Sequence, residues 1–403
     1  MMRPLLWISL AAAALAAPSQ AYSAAAPAAL VQAGGERWSA ERANEWYARQ
    51  PWLTGANYIP ATAINQLEMW QAATWDPTQI DRELGWARQF GMNTMRAYLH
   101  DLAYEQDPEG FKRRLGEFLG IAARHGIRPM LVLFDSCWDP DPVIGPQHRP
   151  IPGVHNSGWL QSPGRRDLID RSQDAGFRRY VEDVVGSFAQ DARIIAWDIW
   201  NEPDNNGGGS YNDDQLAQER ERIEYLLPRA FQWARSRNPI QPLTSGVWIG
   251  DDWTPNSRTL NEIQRVQLRE SDIITFHDYN WPESFERRVE QLRGYGRPII
   301  CTEWLARSNG STVDAVLPIA HRERVGMINW GFVQGDIQTH LPWESWERPY
   351  VQHQPTVWFH DLLLPDGTPY RTREAEIFRT LRAQPLPAPR PAPVRRPARR
   401  SRR

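Results

Sequence analysis

The sequence predicts an α/β fold, a single-domain (β/α)8 barrel of the TIM type over residues 51–384. Three observations carry this expectation. Eight segments that read as strands alternate with eight that read as helices. The strand segments are near-continuous apolar runs, as parallel strands buried on both faces are. The first of them runs out through Gly55-Ala56-Asn57-Tyr58-Ile59-Pro60, with no Gly-rich phosphate turn of the kind an open doubly wound sheet carries there. A length of 403 residues and a hydrophobic content of 41% suit a core of that size.

In chain order, residues 1–21 read as a signal peptide. Arg3 gives a positive start, the run 5–17 is apolar and Ala-rich, and Ser19-Gln20-Ala21 is a small-x-small cleavage signal. The run is too short for a mature membrane span, which takes ~20 residues. A lead-in follows over 22–50, Ala-rich to residue 35, with a short helix over 36–50. The first strand is expected at 52–58. A helix starts at Asp76-Pro77-Thr78-Gln79, with Asp as cap and Pro at the first helical position, and Gly91 stops it. Strand two spans 93–99 and its helix 108–125. Strand three spans 128–134, with a long loop before a helix that runs to about residue 190. Strands four to eight are placed at 193–200, 242–248, 272–277, 298–302 and 326–333. Their helices fall at 215–237, 257–269, 282–295, 313–324 and 373–382. Residues 385–403 are rich in Pro and Arg, cannot form a core, and read as a disordered tail.

The net charge of −2 hides an asymmetry. Setting aside the seven Arg of 385–403 and Arg3 leaves the body 22–384 at −10. An acidic body excludes nucleic acid as the expected partner, because phosphate binding wants a basic groove. Two cysteines, Cys137 and Cys301, are too few for a disulfide scaffold, and both are expected as free thiols. No pair of His residues has metal-ligand spacing, so no metal and no other cofactor is expected. Localisation is expected to be secreted or periplasmic, with no membrane span, and the protein is expected to be a monomer.

Barrel chemistry sits at the C-terminal ends of the strands. Read in order, those ends are Arg96-Ala97-Tyr98-Leu99-His100-Asp101, Asp135-Ser136-Cys137-Trp138, Asn201-Glu202, Trp248, His277-Asp278-Tyr279-Asn280-Trp281, Glu303-Trp304 and Asn329-Trp330-Gly331-Phe332. Polar tips on apolar strands, interleaved with some of the 20 Trp, suit a sugar site. Carboxylates would do the catalysis, amides and imidazoles would hold hydroxyls, and indoles would cover the apolar face of the ring. Strands four and seven lie across the mouth, so Glu202 and Glu303 are expected to face each other as the catalytic pair. Arg96 and Tyr279 would keep Glu303 ionised, since a cation and hydrogen bonds favour the charged carboxylate. Glu202 would then be the general acid with the raised pKa. Asn201 would bind a sugar 2-OH. The long loops 136–173 and 334–360, which carry Trp138, His155, Trp343 and Trp346, are expected to shape a cleft.

The ordered set Trp200-Asn201-Glu202-Pro203, His277-x-Tyr279, Thr302-Glu303-Trp304 and Trp330, with Arg96 at the end of strand two, resembles clan A glycoside hydrolases. It is most similar to glycoside hydrolase family 5, the cellulase-like family, over most of residues 52–382. The resemblance implies Glu202 as acid/base and Glu303 as nucleophile of a retaining, endo-β-1,4-glycanase-like enzyme. Its substrate would be a β-linked poly- or oligosaccharide such as glucan, mannan or xylan. It further implies His277 in the site wall and Trp330 as the floor of the cleavage subsite, beside which the strand ends set Trp138 and Trp304 as sugar-binding indoles. One departure stands out. Members usually end strand three with a His, whereas this chain has Asp135-Ser136-Cys137-Trp138, which leaves His100 or His155 as substitutes. Endo or exo action, and hydrolysis or transglycosylation, stay open on these residues. A non-catalytic carbohydrate-binding barrel is the alternative from another class.

Overall fold

The protein is described here from a computed structural model covering residues 35–206, 211 and 217–388. The expected leader, the first part of the lead-in and the Arg-bearing part of the tail lie outside these residues, as does most of the loop 207–216.

Eight parallel strands form one sheet: β1 Thr54–Tyr58, β2 Thr94–Tyr98, β3 Met130–Asp135, β4 Ala196–Asn201, β5 Leu243–Thr244, β6 Ile274–His277, β7 Ile299–Glu303 and β8 Gly326–Asn329. Their order is β5-β4-β3-β2-β1-β8-β7-β6. Between β5 and β6 the ring is closed just past the end of β5, where His277 N donates to Val247 O at 3.0 Å and Val247 N to Thr275 O at 3.2 Å. The fold is thus the expected TIM barrel.

The strand ends differ from expectation in an informative way. β3, β4 and β7 each run one residue further, to Asp135, Asn201 and Glu303. Asp135 is in register with Asn201 on the neighbouring strand, and His277 with Glu303. These polar residues are therefore fixed by the ladder itself. β5 is only two residues long. Beyond it, side chains take the ladder's place: Ser245 Oγ donates to Trp200 O at 2.7 Å and Gln267 Nε2 to Gly246 O at 2.5 Å.

Helix boundaries follow their caps. Asp76 accepts from Gln79 N at 2.9 Å and Gly91 ends that helix, Pro77–Phe90, at φ 102°. The helix expected from 257 begins instead at Glu262, because Asn261 and Gln264 form a reciprocal capping box. The short N-terminal helix is present as Ala40–Ala48, capped by Ser39. It packs against the barrel: Trp38, Trp46 and Tyr47 join Leu53, Met130, Ile195 and Ile273, residues at or just before the starts of their strands, and Ile300 and Ile328 within β7 and β8. The helix thereby closes the barrel end opposite the C-terminal strand tips. Cys137 and Cys301 are both free and buried. Among the described residues, no helix is long and apolar enough to cross a membrane.

Candidate active site

Arg96, on β2, is fully buried among the strands. A buried guanidinium demands acceptors for its fork of donors. Nε and Nη2 donate to Asp198 Oδ2 at 3.0 and 2.8 Å. Nη2 also donates to Asn201 Oδ1 at 2.7 Å, and Nη1 to Asn57 Oδ1 and Glu303 Oε1, both at 2.8 Å. Arg96 does not face the cavity. It fixes two of the groups that do, Asn201 and Glu303.

Glu303 receives further donors. The Tyr98 hydroxyl reaches Oε1 at 2.8 Å and the Tyr279 hydroxyl reaches Oε2 at 2.7 Å. Burial pushes this carboxyl up, but the charges of His277 and Arg96 and the hydroxyls of Tyr279 and Tyr98 outweigh it and hold Glu303 below the ordinary carboxylate range. Burial raises both tyrosines well above their ordinary value, so they remain donors.

Glu202 follows directly on β4 with φ at +41°. A left-handed backbone is strained for a non-glycine residue and is characteristic of functional positions. The turn sends Glu202 toward the cavity beside Asn201, where strand alternation alone would separate them. Its Oε1 accepts from His277 Nδ1 at 2.7 Å, and its Oε2 accepts from Asn205 Nδ2 at 2.6 Å and from the Cys137 thiol at 3.3 Å. His277 Nδ1 also lies 3.5 Å from Glu303 Oε2. One imidazole nitrogen thus spans both carboxylates, and carboxylate oxygens of Glu202 and Glu303 stand within 4.8 Å of each other.

Asn201 is pinned on both sides of its amide, since Nδ2 donates to Asp135 Oδ1 at 2.9 Å. Burial lifts the Asp135 carboxyl to about 6. Cys137 stands at the end of β3, where it also meets the amides of Asn201 and Asn205 at 3.4 and 3.3 Å. Of the two histidines considered as substitutes there, His155 lines the cavity, its Nδ1 on Leu341 O at 2.8 Å. His100 instead caps the next helix beside Asp101.

These groups border a cavity of about 310 Å3. Its polar wall is Cys137, Asn201, Glu202, Asn205, Tyr279 and Glu303, and its indoles are Trp138, Trp248, Trp330, Trp343 and Trp346. Trp330 packs edge-on against Tyr98 and Trp159, while Trp138 stacks on Trp346 at 5.3 Å. Of the expected site residues, Glu202, Glu303, Asn201, Tyr279, Trp330 and Trp138 therefore line one cavity, with Arg96 and His277 behind it. Trp304 does not join them. It is fully buried in the main core, because the residue after Glu303 on an extended strand points to the opposite face.

Glu202, His277 and Glu303 also gather as one possible set of metal donors. The oxygens of Glu303 already receive Arg96, Tyr98 and Tyr279, and a cation there would meet the guanidinium. The arrangement suits proton transfer and nucleophilic attack better than metal ligation.

No known family model matches the sequence, and no curated protein does. Solved structures do. A GH5_18 enzyme from Streptomyces cattleya in complex with Manβ1-4GlcNAc is 15% identical, over 85% of this chain and 83% of that one, with a TM-score of 0.58. An exo-β-1,4-mannosidase from Opitutaceae bacterium strain TAV5 is 18% identical over 82% of this chain and 59% of its own, with a TM-score of 0.54. An endo-1,4-β-mannanase from Eisenia fetida is 14% identical over 83% and 92%, with a TM-score of 0.52. At such identities the likeness is one of fold: the chain shares the barrel of family 5 glycoside hydrolases.

Proposed function

We propose that the protein is a retaining β-glycoside hydrolase that works by double displacement. The observation that carries this reading is that one oxygen of Glu202 and one of Glu303 lie within 4.8 Å of each other, with His277 Nδ1 against both groups. Retention needs carboxyl groups ~5–5.5 Å apart, whereas inversion needs ~6.5–9.5 Å to admit water. The environments of the two groups divide the labour. Glu303 is held ionised by Arg96, His277, Tyr98 and Tyr279 and serves as nucleophile. Glu202, which among the described residues meets an imidazole, an amide and a thiol and no guanidinium, serves as general acid and then base.

In the first step Glu303 attacks the anomeric carbon while Glu202 gives its proton to the departing glycosidic oxygen. The products are an aglycone alcohol and a glycosyl ester on Glu303. In the second step Glu202 takes a proton from water, the hydroxide displaces Glu303, and a hemiacetal of the original configuration leaves. Asn201 holds the sugar 2-OH and Trp330 covers the ring's apolar face in this reading, which both residues' lining of the cavity supports.

The mannosidase and mannanase activities named for two structural neighbours, and the Manβ1-4GlcNAc bound by a third, make β-1,4-mannosides the first substrates to try, followed by glucosides and xylosides. The positive start, apolar run and Ser19-Gln20-Ala21 signal support export from the cytoplasm as part of the same proposal. Incubation with a 2-deoxy-2-fluoro β-glycoside bearing a dinitrophenyl leaving group tests the assignment. One sugar should be trapped, on the peptide that contains Glu303. A label on Glu202 would reverse the roles, and turnover of the unfluorinated glycoside with no label would remove the covalent step.

A further inference from the structure

We infer that this site removes single sugars from the non-reducing end of a β-linked oligosaccharide and does not cut inside a polymer. The inference rests on the glycosidase reading above and deepens it.

The loops after β3 and β8 carry it. These strands are not neighbours, since β2 and β1 stand between them. The loops nevertheless bond directly to each other above the barrel. Asn156 N donates to Ile337 O at 2.8 Å, and His155 N to Ser345 Oγ at 2.8 Å. Gln338 Nε2 donates to Ile151 O at 2.8 Å. Gly153 approaches the Tyr350 backbone so closely that an added Cβ would stand 2.6 Å from it. The two loops therefore form one bridge over the C-terminal ends of β1 and β2.

The space under the bridge is filled as well. The helix Gln66–Trp70 after β1 lies there, with Gln66 Nε2 on Leu160 O at 2.8 Å. Asp336 N donates to Ala61 O at 2.8 Å, which ties the β8 loop to the β1 loop. A polysaccharide strand needs a groove open at both ends. This mouth is blocked on its β1–β2 side by loop backbone, tied by the backbone bonds Asn156–Ile337, Tyr350–Gly153 and Asp336–Ala61 and by side-chain bonds of Gln66, Gln338 and Ser345.

The chemistry says which half of the substrate meets the blocked side. The sugar that bonds to Glu303 lies over Trp330, whose neighbours Tyr98 and Trp159 belong to the bridged side. The leaving oxygen lies beside Glu202 and Asn205. From there the rim passes to Trp248, half-buried, and to the exposed Asn206 and Trp343. The glycone is thus enclosed and the aglycone leaves toward solvent. A glycone with no room behind it carries no further sugar, which makes it the non-reducing terminus. The cavity volume of about 310 Å3 agrees, at the low end of the ~300–1,000 Å3 of small-ligand sites. The endo-glycanase-like expectation drawn from the sequence gives way here to chain-end action.

The test uses the full-length protein on β-1,4-manno-oligosaccharides of graded length, borohydride-reduced at one end, on soluble mannan, and on an aryl β-mannoside, with the gluco series in parallel. The expected result is monosaccharide as the sole early product from the oligosaccharides, with no fall in mannan or glucan viscosity. Early release of internal oligosaccharides with a rapid viscosity drop would overturn chain-end action and leave the glycosidase reading standing. No release from any substrate, the aryl glycosides included, would overturn the glycosidase reading and this inference with it.

Discussion

At the scale of residues, the site is one buried cation and one imidazole shared among three carboxylates. Arg96 bonds to both Asp198 and Glu303, and His277 touches both Glu303 and Glu202. The two catalytic groups are therefore told apart by which of them meets the guanidinium. Replacing Glu202 with Ala should cost about 10²–10⁴ in kcat on natural glycosides, the usual worth of general acid catalysis. Aryl glycosides with good leaving groups should lose far less in the glycosylation step, and equal losses in steady-state kinetics would contradict the role. The sign of the pH effect on Glu303 also follows. Its carboxyl is held below the ordinary range, so the acid limb of kcat/KM should lie below the ~4.3 of a free Glu. In Tyr279→Phe, which loses the hydroxyl 2.7 Å from Oε2, that limb should move to higher pH. Glu202, Glu303 and Tyr279 were legible in the sequence because each stands at or just past the tip of an apolar strand, and Arg96 because it is a charge inside one, the third of β2's five residues. Tyr98 was legible in principle, being two residues from Arg96 and so on the same face of β2. The same parity argument, applied after Glu303, would have kept Trp304 out of the site. The carboxylate of Asp198 was not legible, because nothing in the strand pattern marks it as the counter-ion of a residue two strands away.

At the scale of elements, the caps and stops were the readable part. Asp76, Pro77 and Gly91 delimit their helix as their chemistry demands, while β5 is two residues long and the bonds beyond it are made by the hydroxyl of the adjoining Ser245 and by the amide of Gln267 on a neighbouring helix. A substitute such as Gln267 comes from another element and leaves no local trace. The helix Ala40–Ala48 is the element whose role changed most. Its sequence suggested a lead-in, whereas Trp38 and Trp46 seal the barrel's far end. Truncating a buried Trp to Ala typically costs about 3–5 kcal/mol, so Trp46→Ala should lower the melting temperature clearly while leaving kcat/KM of the folded protein unchanged. An unchanged melting curve would show that the helix does not hold the barrel closed, and a loss of activity in the still-folded variant would show coupling between the two ends.

At the scale of the whole molecule, the eightfold repeat places carboxylates from β4 and β7 on opposite walls of one mouth, and the β3 and β8 loops decide what enters it. The repeat was plain from the alternation of apolar strands and capped helices. The bridge between the loops was not, since its bonds, backbone pairs such as Asn156–Ile337 and side-chain bonds such as His155–Ser345, join segments more than 180 residues apart and irregular chain carries no periodicity to read. The central claim is that the paired carboxylates act by two displacements at one carbon. Proton NMR of the first product formed from an aryl β-glycoside, recorded before the sugar mutarotates, tests it most directly. The β anomer should appear first, with the α anomer growing in only at the spontaneous rate; an α anomer formed first would mean a single inverting displacement and would contradict the account.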